Sequence, residues 1–134
     1  MKILVIDAKG GGMGKELVSE IKKEFPQAVI TAVGTNAIAT SSMVKAGADH
    51  AATGENAVVV GCRKADVIVG PVGIAIADSI YGEITPKMAV AVGQSNAKKL
   101  LIPINQCDNV IVGIGNANVT TMIAAVIDEL KGLC

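Results

Sequence analysis

The stretch Lys2–Lys15, KILVIDAKGGGMGK, decides the fold. Lys2–Asp7 (KILVID) is an almost unbroken apolar run, as expected of a strand buried on both faces. Residues 8–14 (AKGGGMG) read as a flexible glycine-rich turn, after which the apolar period becomes helical. Met13, Leu17, Val18, Ile21 and Phe25 make one stripe, and Lys15, Glu16, Glu20, Lys22 and Lys23 fall outside it. Pro26 stops that helix. A buried strand running through a glycine turn into a helix sets backbone N–H groups where they can cradle a phosphate.

The same alternation continues outward. Residues 28–33 (AVITAV) read as a second strand, and Gly34-Thr35-Asn36 as a turn with Asn36 as helix cap. A helix follows through Met43 to Gly47, then a short strand at 49–53, a helix opened by Gly54-Glu55-Asn56 through Lys64, and a strand at 66–70. The segment GPVGIAIADSIYGE (70–83) holds a short helix without clear ends. Thr85-Pro86 starts a helix to about Gln94, with Thr as cap and Pro in the first turn. Residues 99–104 and 109–113 read as two strands joined by Asn105–Asp108, a link too short for a parallel crossover, so the pair is expected to be antiparallel. A last helix covers about 117–131. The expected fold is one Rossmann-like α/β domain over residues 1–134: a three-layer, doubly wound, mostly parallel sheet with an antiparallel C-terminal strand.

Composition agrees with this class and excludes others. The chain is 51% hydrophobic but 1% aromatic, so Val, Ile, Ala and Leu must fill its core. Twelve Lys and Arg balance twelve Asp and Glu, and Phe25 and Tyr81 are the only aromatics. Neither a polyphosphate-tracking surface nor a base-stacking platform is present, which sets nucleic acid aside. Cys62, Cys107 and Cys134 are scattered, with no C-x-x-C pair, so neither a zinc site nor a disulfide framework is expected and no metal is assigned. Reduced thiols, an N-terminus too short for a signal peptide and the absence of a long apolar run point to a cytoplasmic protein away from membranes. Residues 57–62 (AVVVGC) and 88–92 (MAVAV) are apolar nearly all round, which predicts a homo-oligomer, with a dimer as the commonest form.

Ligands of open parallel sheets bind beyond the carboxyl ends of the strands. The candidate site there comprises Lys9, Gly10, Gly11, Gly12, Met13, Gly14 and Lys15, then Gly34, Thr35 and Asn36, then Gly70, Pro71 and Gly73. Short βα turns are rich in Gly and Asn in any case, so several turns at one edge weigh more than each alone. The first turn matches known patterns only in part. In the dinucleotide pattern G-x-G-x-x-G the register Lys9, Gly11, Gly14 lacks the first glycine. In the P-loop pattern Lys9 replaces the first glycine and Glu16 stands where Mg²⁺ needs a hydroxyl. The short-chain dehydrogenase turn matches in part, but Tyr81 is followed by Thr85, not by Lys.

The second turn offers Thr35 and Asn36, whose side chains can bond a 2′-phosphate, where an NAD site carries an acid; the only arginine, Arg63, is on another helix, so NAD is disfavoured and NADP or a mononucleotide stays open. Catalytic residues remain unassigned, because no acid–base or nucleophile–base pair is matched. Asp7 is expected to point at the glycine turn, either as a base or as an acceptor of its N–H groups, where it would repel a phosphate. Asp78, Tyr81 and Glu83 read as a solvated polar rim, His50 as structural, and Cys107 as a turn thiol without an assigned role.

The strings IDAKGGGMGK (6–15), AVGTNAIAT (32–40), GADHAATGENA (47–57), VGPVGIAIAD (69–78), GEITPKMA (82–89) and AKKLLIPIN (97–105) resemble a small family of uncharacterised bacterial proteins, a domain of unknown function with a Rossmann-like glycine-rich N-terminal loop. The resemblance covers nearly the whole chain. It implies a bacterial, cytoplasmic, stand-alone domain and brings no reaction, substrate or catalytic residue. The function expected from the residues is binding of a small molecule, a nucleotide such as NADP. The alternative is a non-enzymatic metabolite-binding or regulatory module acting through protein partners.

Overall fold

The computed structural model describes residues 1–105, 108–115 and 118–133. Five strands form one sheet: β1 (Lys2–Asp7), β2 (Val29–Gly34), β3 (His50–Thr53), β4 (Val67–Pro71) and β5 (Lys98–Ile102), in the order β3-β2-β1-β4-β5. All four pairings are parallel, with Lys2 opposite Val29, Ile3 opposite Val67, Thr31 opposite His50 and Val67 opposite Lys98. This is the Rossmann strand order without its sixth strand. The helices are α1 (Gly12–Glu24), α2 (Ala37–Lys45), α3 (Glu55–Lys64), α4 (Pro86–Gln94) and α5 (Val119–Leu133), with a 3₁₀ turn at Val72–Ala75.

Alternation along the strands sorts the core into two layers. Ile3, Val5, Ile30, Ala32, Val67 and Val69 face α1, α2 and α5, where Leu17, Val18, Ile21, Met43, Ile123 and Leu130 meet them. Leu4, Ile6, Val33 and Ile68 face α3 and α4, against Val58, Cys62, Met88 and Val92. Each fully buried Val, Leu or Ile contributes roughly 1.5–3 kcal/mol over its exposed state. The apolar runs of β1 and β4 are thereby explained, since both strands are central.

The antiparallel C-terminal strand is not formed. Among the described residues, 109–113 contribute only an isolated bridge at Asn109, and Val110 and Val112 are exposed. Alternating valines satisfy the pattern of a strand, but β5 already pairs with β4 and this segment leaves its other side open. The helical period also begins earlier than the turn reading implies, because Gly12, Met13 and Gly14 form the first turn of α1. The Asn36 cap is present: its Oδ1 accepts from Ala39 N at 2.9 Å. So is the Thr85 cap, whose Oγ1 accepts from Met88 N at 3.2 Å, one residue past the helix-starting Pro86 and Lys87.

The sheet is not covered evenly. All four residues of edge strand β3 are exposed, and a groove of about 390 Å³ runs over Val29, Thr31, His50 and Ala52 beside Ala57 and Val60 of α3. The expectation that α3 is buried on several sides is not met within one chain: only Val58 and Cys62 are buried on it. No helix among the described residues is long and apolar enough to cross a membrane.

Candidate functional site

The direction of winding reverses between β1 and β4, so the crevice beyond their carboxyl ends is the expected ligand position. Three segments meet there: the turn after β1, the turn after β2, and the stretch 76–85 that leads from β4 to α4.

The glycines of the first turn divide into two kinds. A Cβ on Gly11 would lie 2.7 Å from Ala39 O, and its φ of +73° is a left-handed conformation that suits glycine. A Cβ on Gly14 would lie 2.6 Å from Met43 Sδ and 2.9 Å from Asp7 Cβ. These two glycines let α1 and α2 close on the strands. Gly10 and Gly12 have neither reason: their φ is ordinary and a Cβ would meet nothing within 4 Å. The N–H groups of Gly10, Gly12 and Met13 find no acceptor among the described residues.

Two carboxylates take the remaining amides. Asp7, buried at the end of β1, accepts from Ala8 N at 2.8 Å and Gly14 N at 2.6 Å. Burial raises its pKa above the usual value, opposed by those two N–H bonds, and the charge of Glu83 raises it further. Glu83 is the residue whose role the sequence hides. It is not a solvated rim group: its Oε1 accepts from Lys9 N at 2.9 Å, Thr35 Oγ1 at 2.6 Å and Asn36 Nδ2 at 3.0 Å. Burial works against its charge, but the bonds from Thr35, the Lys9 amide and Asn36, with the Lys9 charge, outweigh it and hold its pKa below the usual range. The Lys9 ammonium lies 4.6 Å from the centre of the Tyr81 ring, a second tie between the same two segments.

The structure therefore brings Lys9, Gly10, Gly12, Met13, Thr35 and Asn36 to one edge, with Gly11, Gly14 and Gly34 packed beneath them. Thr35 and Asn36 are already committed to Glu83, so the sequence argument that they would bond a 2′-phosphate does not hold for this conformation. Lys15 lies on α1 beside a cleft shared with Thr120 of α5, away from the crevice. Gly70 and Pro71 are buried in β4, and a Cβ on Gly70 would lie 2.5 Å from Ile6 O. Gly73 is buried against Ser79 and Ile80. These three are packing residues rather than open lining.

The groove over β2 and β3 is mostly apolar, with Lys2, Thr31, His50 and Lys64 among its lining, and it lies away from the carboxyl edge, so it is not assigned to chemistry. The Cys62 thiol is buried and pushed up to about 11 by that burial, only partly offset by Lys99, and is therefore inert. His50 is exposed on β3. Among the described residues no group of three His, Cys, Asp or Glu side chains could hold a metal ion. Cys107 and Cys134, and the first residue of the expected last helix, Ala117, lie outside the described residues.

Fold and site together define a parallel, doubly wound α/β protein of Rossmann type with a polar carboxyl edge. The chain belongs to the family described as a domain of unknown function, DUF3842, which it matches over residues 2–134. No curated protein matches it. Among solved structures it is similar to a dodecameric FMN-dependent UbiX-like decarboxylase from Escherichia coli O157:H7, at 15% identity and TM-score 0.51, covering 98% of this chain and 76% of that one. It also aligns with a nucleoside-diphosphate-sugar epimerase from Pseudomonas aeruginosa, at 9% identity and TM-score 0.48, covering 97% of this chain and 46% of that one. At 15% identity the likeness to the decarboxylase concerns the fold alone.

Proposed function

We propose that this protein binds a small phosphate-bearing molecule of the nucleotide class at the carboxyl edge between β1 and β4. The supporting observation is the pair Gly10 and Gly12, bare where neither packing nor backbone conformation asks for glycine, beside amides without acceptors. A ligand approaching the backbone closely accounts for both features. The phosphate would sit on the N–H groups of Gly10, Gly12 and Met13, where the α1 dipole favours negative charge. Glu83 stands across the route from this turn to the end of β2, which favours a compact ligand over a dinucleotide lying along both turns. Its charge also counts against a 2′-phosphate there, so NADP falls behind a mononucleotide.

Among the described residues, the hydroxyl–carboxylate contact at this edge, Thr35 Oγ1 to Glu83 Oε1, shares its acceptor oxygen with the Lys9 and Asn36 donors, which supports a binding role over catalysis, exercised by a homo-oligomer of one-domain subunits. Thermal shift with FMN, ATP, NAD, NADP and coenzyme A at millimolar concentration tests the reading. We expect stabilisation by at least one mononucleotide-containing ligand, and its loss in Gly12→Ala. That variant meets no internal clash. Wild-type protein unmoved by the whole panel would end the nucleotide reading.

A further inference from the structure

Lys9 N–H, the Thr35 hydroxyl and the Asn36 side-chain amide come from two different βα turns, yet all three donate to one oxygen, Glu83 Oε1. Three donors converging on a single oxygen make an oxyanion pocket that exists in the body of the fold and is filled from outside it. The Asn36 amide is held for this task, since it also donates to Lys9 O at 2.9 Å while its Oδ1 caps α2.

The segment that delivers Glu83 has two parts. Ser79, Ile80 and Ile84 are buried and anchor it, helped by Asp78 N donating to Ile84 O at 2.7 Å. Within this segment Asp78, the anchor Ile80 and Tyr81 hold φ of 64°, 55° and 54°. The left-handed region is costly for non-glycine residues and most of all for a β-branched one. The backbone there is thus held against its preference, and Glu83, two residues past Tyr81, takes the Lys9 amide, which immediately precedes Gly10 in the chain.

We propose that Lys9 N–H, Thr35 Oγ1 and Asn36 Nδ2 form a second oxyanion subsite, next to the first-turn amides of α1, with the Glu83 carboxylate as its resident and displaceable occupant. The incoming group is a carboxylate or phosphate oxygen of the ligand. This rests on reading the edge as a ligand site and adds how that site is kept closed. Displacement needs a rotation of the Glu83 side chain, while the buried anchors stay in place.

Acetate and inorganic phosphate, with chloride at equal ionic strength as control, serve as probes in amide NMR of wild type, Glu83→Ala and Glu83→Gln. In Glu83→Ala the Lys9 amide and the Asn36 side-chain amide shift saturably. The apparent affinity is about ten-fold or more above wild type, because the competitor that kept the site closed is gone. Glu83→Gln, which leaves a neutral acceptor in place, falls between the two and serves if the alanine variant does not fold. Unmoved Lys9 and Asn36 signals in the variants, affinities equal to wild type, or weaker binding in Glu83→Ala would each overturn the subsite. Gly12→Ala separates the two readings: acetate still binds at Lys9 in Glu83→Ala/Gly12→Ala while nucleotide binding is lost. Acetate binding at Lys9 without any nucleotide binding leaves the subsite standing and removes the nucleotide.

Discussion

At the scale of single residues, the glycine turn holds two kinds of glycine in one run, and substitution separates them. Gly14→Ala drives a Cβ into Met43 Sδ and Asp7 Cβ. The flexible methionine yields in part, so the cost is that of overpacking, about 1–3 kcal/mol, read by urea unfolding. Gly12→Ala meets open space at the start of α1 and gains up to about 1 kcal/mol of helix propensity. Equal behaviour of the two variants would contradict this division. The carboxylates give a second residue-scale prediction. Asp7's pKa is raised in the fold, so its contribution to stability is complete below the unfolded value and declines as pH rises through the raised one. Glu83 is lowered, so its contribution is present above the unfolded value and is lost as pH falls through its own. Because the Glu83 charge is one cause of the Asp7 shift, Glu83→Gln should move the Asp7 midpoint downward in carboxyl-carbon NMR, and shrink the stability lost as pH rises past 3.8. A midpoint that stays or climbs would contradict the coupling.

At the scale of elements, α2 is the part most exposed to one change. Asn36 caps it through Ala39 N, holds Lys9 O and donates to Glu83. Asn36→Ala removes all three at once. A lost cap costs about 0.5–2 kcal/mol, and the upper end is expected here because the other two bonds go with it. Thermal unfolding checks the size. An Asn36→Asp variant, which keeps the cap acceptor but brings a charge to Glu83, should recover only part. This scale also explains what was legible in advance. β1, β2, β4 and their helices follow from periodicity, because each is buried by its immediate sequence neighbours. The reading of 109–113 as a strand failed for a different reason. Alternating valines fit a half-buried ladder, but pairing depends on which edge is free, a property of the finished sheet. Glu83 was hidden likewise, lying 74 residues from Lys9, with which it bonds. Its sole advance sign was an acidic group in the segment after β4, at the same edge as the glycine turn.

At the scale of the whole molecule, the unresolved balance is on the face of β2 and β3 opposite α1 and α2. Doubly wound sheets carry helices on both faces, since parallel strands are built for burial. Here α3 covers one part of that face and leaves Val29, at 41% exposure, Thr31 and Ala52 beside a groove of about 390 Å³. The edge strand adjoining it has no Pro and no Lys to discourage pairing, although such edges are usually guarded. A lone chain would present this apolar surface and its unpaired backbone together to water. Association with a second copy removes both costs, whereas nothing elsewhere in the described chain reaches this face. Sedimentation velocity at micromolar concentration should therefore give a dimer or larger closed assembly. Thr31→Glu, a charge on the groove floor and remote from the glycine turn, should shift it toward monomer while leaving ligand binding at the β1–β4 edge intact. If wild type runs as a monomer, or the variant associates as before, the groove is not where the copies meet.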